Sequence, residues 1–210
     1  MIILSHRGWW LKSTEKNTSI AFQRSFQEGY GTETDIRDFQ GELVISHDIA
    51  DASSIKAEDF FTIYKKYGGN LTLALNVKSD GLQEKLKNML LKFEINNYFV
   101  FDMSVPDGLN YLKYNITCFT RQSEYERIPS YYSEATGVWL DEFIEPWVNQ
   151  ETISGHINCS KKICIVSPDL HKREHISRWE DFRNIEANLN KSDIMLCTDH
   201  PNDARRFFNE

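Results

Sequence analysis

Short apolar runs alternate with longer amphipathic segments along nearly the whole chain. Eight runs are predicted to be strands, at residues 2–4, 32–36, 71–77, 98–101, 116–120, 137–140, 163–166 and 194–197. Between them, apolar side chains recur at helical spacing at about residues 18–28, 57–67, 82–93, 105–112, 146–155 and 174–187, and again from Pro201 onward. A further run at 43–45 predicts a short hairpin excursion after the second strand. Eight strands, each followed by a helix or a short equivalent, predict an α/β fold, a TIM-type (β/α)8 barrel.

The length of the chain agrees with one such barrel. The 210 residues, 40% of them apolar, suffice for one domain with a sizeable core but lie at the low end for eight βα units. We therefore expect a compact barrel with short loops. Because no linker, low-complexity tract or repeat interrupts the pattern, residues 1–210 are predicted to form a single domain.

The net charge limits the kinds of molecule that the protein is expected to bind, and the cysteines indicate its compartment. The formal charge of −7 argues against nucleic-acid binding and against a stable anchor on an anionic membrane, so a small soluble substrate fits better. No apolar run approaches the roughly 18 residues of a membrane span, and the apolar N-terminus is too short for a signal peptide. The four cysteines are best explained as reduced thiols. These features predict a cytoplasmic protein and leave its oligomeric state open.

Polar residues follow the predicted strands again and again. A barrel enzyme builds its active site at the carboxyl ends of its strands, where a purely structural barrel would not need so many. The residues at these ends are His6, Arg7, Glu33, Asp35, Asn76, Lys78, Asp102, Arg121, Asp141, Ser167, Thr198 and Asp199. Each alone is weak evidence, but together they combine cation ligands, phosphate binders and a histidine.

Two carboxylates and two histidines near the N-terminus outline a specific chemistry. In Glu33-Thr34-Asp35 the alternation of a strand places both carboxylates on one face, where they can converge on a hard divalent cation such as Mg²⁺ or Ca²⁺. His6 and His47 can flank whatever the metal holds, one as general base and one as general acid. The alternatives are a strand cap for His6 and a turn for His47. The first reading describes metal-assisted phosphodiester cleavage.

At these positions the sequence resembles the glycerophosphodiester phosphodiesterase family. The matching residues are His6-Arg7-Gly8, Glu15-Lys16-Asn17-Thr18, Ala21-Phe22, Gly29, Glu33-x-Asp35 and His47-Asp48, with a thinner match at Asn76-Val77-Lys78 and Thr198-Asp199. The resemblance implies a TIM-type barrel of the superfamily that also contains phosphatidylinositol-specific phospholipases C. It makes His6 and His47 the acid/base pair. It also makes Glu33 and Asp35 metal ligands, and Arg7 and Lys78 phosphate contacts.

One position departs from the family pattern. Asn76 stands where the family usually has glutamate, so the predicted metal site has an amide in place of a third anionic ligand. An amide oxygen can ligate Mg²⁺ or Ca²⁺ but attracts the ion less strongly. Asp102, at the end of the next strand, is an alternative ligand. A loss of turnover is a further possible consequence of the substitution.

Two aromatic candidates remain away from the motif. Trp139, on the sixth predicted strand, can wall a substrate pocket or can pack in the core, and the sequence does not favour either role. His171, which follows the seventh strand, can reach the mouth of the barrel or remain on the surface.

The predicted function is metal-dependent hydrolysis of a small phosphodiester, a glycerophosphodiester above all, to an alcohol and glycerol 3-phosphate. Mg²⁺ or Ca²⁺ is the expected cofactor, with Mn²⁺ as a third candidate. One alternative is a phospholipase C- or D-like enzyme acting on a lipid head group, which should have an exposed apolar rim that these short loops do not obviously provide. The other is a degenerate barrel that binds phosphodiesters without turnover.

Overall fold

Ten strands and seven α-helices alternate along the computed structural model, which describes residues 1–189 and 194–209. The strands are β1 Ile2–His6, β2 Gly31–Phe39, β3 Glu42–Ile45, β4 Ile55–Lys56, β5 Leu73–Val77, β6 Tyr98–Phe101, β7 Phe119–Ser123, β8 Gly137–Asp141, β9 Lys162–Val166 and β10 Met195–Thr198. The helices are α1 Ser19–Gln27, α2 Ala57–Ile63, α3 Gln83–Lys92, α4 Val105–Lys113, α5 Gln150–Asn158, α6 Ile176–Leu189 and α7 Pro201–Asn209. The predicted α/β fold with a central, mostly parallel sheet is confirmed.

Eight of the strands form one parallel array. β1 pairs with both β2 and β10; β5 and β6 follow on the β2 side, and β9, β8 and β7 follow on the β10 side. The two ends of the array, β6 and β7, lie beside each other and share an isolated parallel bridge between Val100 and Cys118. All eight strands run in the same direction, so their carboxyl ends gather at one edge.

The second strand continues into a hairpin beyond the parallel array. The end of β2 pairs antiparallel with β3, from Ile36 opposite Ile45 to Phe39 opposite Glu42. After β3, the amide N–H of Ser46 donates to the backbone oxygen of Asp35 over 3.1 Å. The hairpin therefore returns the chain to the carboxyl end of β2, with His47 as the next residue.

Alternation along the strands separates an inner face of the array from an outer one. The inner cluster of buried apolar residues consists of Leu4, Ala74, Phe99, Phe101, Phe119, Trp139, Cys164, Val166, Met195 and Cys197. Two larger apolar clusters pack helices against the strands, one reaching from Phe22 to Cys118 and the other joining the N-terminus to the last third of the chain. Two residues beyond Leu4, Ala74 and Trp139, the same inner face carries His6, Asn76 and Asp141.

Two predicted elements begin at least three residues later than expected. β7 starts at Phe119 instead of residue 116, because Ile116 packs in the outer apolar cluster and its N–H donates to the carbonyl of Tyr111 at the end of α4. α5 starts at Gln150 instead of residue 146, because the Glu142 carboxylate accepts the backbone N–H groups at 147 and 148. Every helix in residues 1–189 and 194–209 is too short or too polar to cross a bilayer.

Candidate active site

A left-handed turn after β1 brings the first loop back over the strand ends. Arg7 and Gly8 both have positive φ, of 60° and 82°. A Cβ built on Gly8 would lie 2.8 Å from the backbone carbon of Ala21 in α1, so no side chain fits there without displacing that helix. The N–H of Asn17, itself left-handed, donates to the backbone oxygen of Arg7 over 3.0 Å. The loop consequently holds Lys16 and Asn17 close to the ends of β1 and β2.

His6 is held by a carboxylate from the last strand. Its Nδ1 lies 2.6 Å from Oδ1 of Asp199, and Nζ of Lys16 lies 3.2 Å from Oδ2 of the same carboxylate. Burial lowers the pKa of His6, although Asp199 opposes the shift. The pKa of Asp199 is lowered too: burial would raise it, but the hydrogen bond from His6 and the charges of His6 and Lys16 outweigh that effect. A neutral His6 therefore donates Nδ1–H to Asp199 and keeps Nε2 as a proton acceptor.

Asp35 collects two cations and an amide. Nε of Arg7 lies 3.2 Å from its Oδ2, and Nζ of Lys78 lies 3.5 Å from its Oδ1. Nδ2 of Asn17 donates to Oδ2 over 2.8 Å, and the Asn17 oxygen accepts from the Thr34 hydroxyl. The N-cap position of α1 is Thr18, so the Asn17 side chain just before it is free to contact the site residues.

Three side-chain oxygens at this edge are buried without a hydrogen-bond donor in the described part of the chain. They are Oε2 of Glu33, Oδ1 of Asp35 and Oδ1 of Asn76, and the last two residues face each other in the β2–β5 register. Glu33 and Asp35 are 2% and 0% exposed. Burial, reinforced by the charge of Asp35, raises the pKa of Glu33 to about 8. A buried carboxylate oxygen without a hydrogen-bond donor is costly, and a bound cation would offset that cost.

The chemistry of these oxygens suits a hard divalent ion. Two carboxylates and one amide oxygen are ligands that Mg²⁺ and Ca²⁺ accept. Within the described residues, histidine, cysteine and acidic side chains form no group of three that could hold a metal ion. The third oxygen belongs to the amide of Asn76. A metal bound here would therefore have a neutral amide ligand in place of a third carboxylate.

Asp102 orients that amide. Asn76 Nδ2 donates to Oδ2 of Asp102 over 3.2 Å, while Oδ1 of Asp102 lies 2.9 Å from Nη1 of Arg121. Both carboxylate oxygens are thus engaged, and the bond turns the oxygen of Asn76 away from Asp102. Asp102, the alternative metal ligand in the sequence analysis, contacts Asn76 and Arg121 in this structure, and its role in metal binding stays a prediction.

Three of the solved structures that share this architecture are phosphodiesterases. No protein-family model matches the sequence, and no curated protein is significantly similar to it. A phosphodiesterase from Oleispira antarctica, solved with the product sn-glycerol-3-phosphate, matches with a TM-score of 0.70 and 14% identity over 100% of this chain and 97% of that one. The chain has the fold of the glycerophosphodiester phosphodiesterases.

Two further glycerophosphodiester phosphodiesterases give the same result. The Agrobacterium tumefaciens enzyme matches with a TM-score of 0.66 and 13% identity, covering 96% of this chain and 97% of its own. The Thermotoga maritima enzyme matches with a TM-score of 0.65 and 13% identity, covering 98% of each chain. The TIM-barrel type of fold that the sequence resemblance implied is confirmed. At such low identity, the roles of individual residues must be argued from the geometry of this chain.

Within this glycerophosphodiester phosphodiesterase fold, six of the predicted site residues come together, and in the described part of the chain the other two make no hydrogen bond, ion pair or ring contact with those six. The residues brought together are His6, Arg7, Glu33, Asp35, Asn76 and Lys78. His47 is exposed, and its Nδ1 lies 2.8 Å from Oδ1 of Asp48, which is more exposed still. Trp139 is only 4% exposed and stacks on Phe101 with ring centres 4.0 Å apart. The acid/base role of His47 and the substrate contact of Trp139 stay predictions.

Three further residues belong to the site by contact, and the sequence assigned none of them a role there. Lys16 and Asn17 stood in the family motif, and Asp199 stood among the polar strand ends. Their partners are far away in the chain: 193 residues separate His6 from Asp199. A strand-end position was the available signal for Asp199, but strand order alone does not predict which histidine it meets.

Proposed function

We propose that the protein hydrolyses a glycerophosphodiester to an alcohol and glycerol 3-phosphate, with a divalent metal ion as cofactor. The observation that carries the proposal is that three buried oxygens without a hydrogen-bond donor, on Glu33, Asp35 and Asn76, lie at the ends of two paired strands beside the cations Arg7 and Lys78. The fold shared with glycerophosphodiester phosphodiesterases supports it, as does the sn-glycerol-3-phosphate bound in the Oleispira antarctica structure.

The residues of the chain divide the work of binding. Glu33, Asp35 and Asn76 would hold the ion, which when bound supplies positive charge to offset the charge that develops on phosphate oxygens. Arg7 and Lys78 share that task, because each reaches the Asp35 carboxylate and is only partly exposed. A phosphate entering the mouth replaces part of their contact with Asp35 by charge-assisted hydrogen bonds to its own oxygens.

Proton transfer falls to the histidines. Nε2 of His6, 3.9 Å from Oε2 of Glu33, takes the proton of the nucleophile, which is water or a neighbouring hydroxyl of the substrate. His47 returns a proton to the leaving alkoxide. If the substrate hydroxyl attacks, a cyclic phosphate forms first and water opens it in a second step. With one histidine neutral and one protonated, the rate is bell-shaped in pH.

A panel of phosphodiesters with controlled metal tests the proposal. Glycerophosphodiesters should be hydrolysed in the presence of Mg²⁺, Ca²⁺ or Mn²⁺, EDTA should abolish turnover, and added metal should restore it. Turnover that survives chelation would rule out the metal part of the proposal. A protein that binds glycerol 3-phosphate but turns over none of the panel would be the degenerate binding barrel instead.

One observation favours a second candidate, a phospholipase D-like enzyme acting on a lipid head group. Large apolar side chains are exposed on loops that follow the carboxyl ends of the strands, although short loops were not expected to provide such a rim. They are Leu11, Ile49, Tyr125, Ile128 and Ile144. Ile49 and Ile128 are each 89% exposed. Exposed apolar side chains on several loops at the same edge of the strands are what contact with a lipid–water interface requires.

A lysophospholipid distinguishes the two candidates. An enzyme that works at an interface should hydrolyse it faster above its critical micelle concentration, and the double substitution Ile49→Ser/Ile128→Ser should remove that increase. Leu91→Ser is the control, because Leu91 is also apolar and exposed, at 67%, but lies on α3 and not on a loop after a strand. No increase on micelles, with faster hydrolysis of soluble glycerophosphodiesters, would exclude the second candidate.

A further inference from the structure

The carboxyl end of β8 carries a histidine–carboxylate pair that the proposed mechanism does not use. β8 lies three strands from β1 in the array, and its last residue is Asp141, on the inner face two residues beyond Trp139. Oδ1 of Asp141 lies 2.6 Å from Nε2 of His171, which ends the 3-10 helix after β9. Asp141 is buried and His171 is half-buried.

This pair borders the same mouth as the candidate metal site, because direct contacts join the two. Asp102, which orients Asn76, is also paired with Arg121. The guanidinium carbon of Arg121 lies 5.8 Å from the ring centre of Phe143, and that ring lies 4.9 Å from the ring of His171. These contacts form a continuous chain from Asn76, whose amide would ligate the metal, to His171 beside Asp141.

Each member of the pair keeps one polar atom without a partner in the described residues. Oδ1 of Asp141 and Nε2 of His171 face each other, which leaves Oδ2 of Asp141 and Nδ1 of His171 for a ligand. A carboxylate oxygen accepts a hydroxyl proton, and an imidazole nitrogen can accept one or donate one. The two atoms therefore match two adjacent hydroxyl groups, and the half-buried Phe143 ring offers a face to the carbon atoms between them.

The loop that carries Phe143 is fixed before any ligand binds. The carboxylate of Glu124 accepts the backbone N–H groups of Phe143, Ile144 and Glu145 at 3.1, 2.9 and 3.2 Å. Three hydrogen bonds to one ionised acceptor hold the chain more firmly than neutral contacts would. Binding at this place then needs little ordering of the protein, which favours affinity.

We propose that Asp141, His171 and Phe143 form a subsite for the vicinal diol of the substrate's organic part, with the phosphate held by Arg7 and Lys78. This subsite rests on the proposed function only in that the substrate is taken to be a glycerophosphodiester. Asp141 and His171 are specificity-determining residues that bind the hydroxyls and take no part in bond cleavage. The chemical class recognised is a polyol phosphate with two adjacent free hydroxyl groups.

Binding measurements test the subsite independently of turnover. In calorimetry with Mg²⁺ present, the wild type should bind glycerol 3-phosphate about tenfold more tightly than methyl phosphate, which lacks the diol. His171→Ala and Asp141→Asn should reduce that preference to about twofold or less. His175→Ala is the control, because His175 lies in the same connection between β9 and α6 but packs against the Trp179 ring and stacks on His200. A wild type without preference, or variants that retain it, would overturn the subsite.

Turnover gives a second, separable readout. For glycerophosphocholine, His171→Ala should raise KM about tenfold and leave kcat within a factor of about two. For ethyl phosphocholine, which has no diol, neither constant should change. Equal damage to both substrates would mean a structural role and overturn the subsite. A wild type that prefers glycerol 3-phosphate in binding but hydrolyses neither diester would support the subsite and overturn the proposed function.

Discussion

The contact between His6 and Asp199 decides which nitrogen of the histidine is available for chemistry. Asp199 is itself held: its N–H donates to Oδ2 of Asp169 over 2.7 Å, and the hydroxyl of Thr198 donates to the same carboxylate. A carboxylate fixed in this way determines the tautomer and the orientation of the imidazole. In the proposed reaction His6 is the base, and Asp199 positions it.

We predict that His6→Ala lowers kcat by about 10² to 10⁴, the usual contribution of a general base. Asp199→Asn should lower it less and should move the acid limb of the pH–rate profile to lower pH, because Asp199 raises the pKa of His6. Steady-state rates between pH 4 and 9 measure both effects. His200→Ala, an exposed histidine beside Asp199, is the control.

Two results would count against these roles. If the folded His6→Ala protein turned over at nearly the wild-type rate, the histidine would not be the base. If Asp199→Asn lowered the rate uniformly without moving the profile, Asp199 would support the fold near His6 and not its protonation.

Asn76 determines how many negative charges meet the metal. Replacing it with glutamate adds a charged ligand and should tighten metal binding about tenfold, since the charge count of the ligands helps to set affinity. The substitution also removes the N–H that pairs with Asp102 and brings two acids together. The double variant Asn76→Glu/Asp102→Asn should relieve that repulsion and bind more tightly still. Calorimetric titration with Mg²⁺ measures both, and unchanged affinity in both would place residue 76 outside the metal ligands.

At the scale of elements, alternation and helical spacing predicted most of the strand and helix positions, because those patterns reflect burial directly. These patterns predicted the start of β7 wrongly, because Ile116 is buried in the core although it lies in the loop before β7. In the site, alternation was enough to pair Glu33 with Asp35. It could not show that Asp199 meets His6, because that contact depends on the order of strands in the array.

The turn between β1 and α1 rests on Gly8, so we predict that Gly8→Ala lowers both stability and activity. Its positive φ costs an alanine about 1 kcal/mol, and the clash with Ala21 adds about 2 kcal/mol more. Gly81→Ala is the matched control, because Gly81 has a φ of 84° but open space at the Cβ position. Urea unfolding of both variants separates the two costs. Equal losses would show that the close approach to α1 contributes nothing.

At the scale of the whole molecule, one histidine connects helix α5 to β7 and to the loop between β7 and β8 by hydrogen bonds. His156 on α5 lies 2.8 Å from the Tyr132 hydroxyl through Nδ1 and 2.7 Å from Oε1 of Gln122 through Nε2. A neutral ring satisfies both, with Nε2–H donating and Nδ1 accepting. Burial, followed by the charge of Lys161, lowers the pKa of His156 below its ordinary 6.5.

This lowered pKa predicts a pH-dependent stability. As the pH falls below 6.5, His156 binds a proton in the unfolded chain before it does so in the folded protein, which favours unfolding. The stability that neutral His156 contributes is therefore fully present above pH 6.5. It is lost as the pH falls toward the lowered pKa of the folded state. The difference in melting temperature between the wild type and His156→Gln should therefore shrink from pH 7.5 to pH 5. A constant difference across that range would show that His156 titrates alike in both states.

β6 and β7 are joined by fewer backbone pairs than the other neighbouring strands of the parallel array. β7 and β8 share five register pairs, from Phe119 opposite Gly137 to Ser123 opposite Asp141, whereas β6 and β7 share the Val100–Cys118 bridge. Val100 and Cys118 both pack in the outer apolar cluster that reaches from Phe22 to Cys118, whereas Val138 packs in the other outer cluster. Opening between β6 and β7 breaks few hydrogen bonds, so we expect local opening to begin there. Amide deuteration should accordingly reach Val100 well before Val138, in the middle of β8.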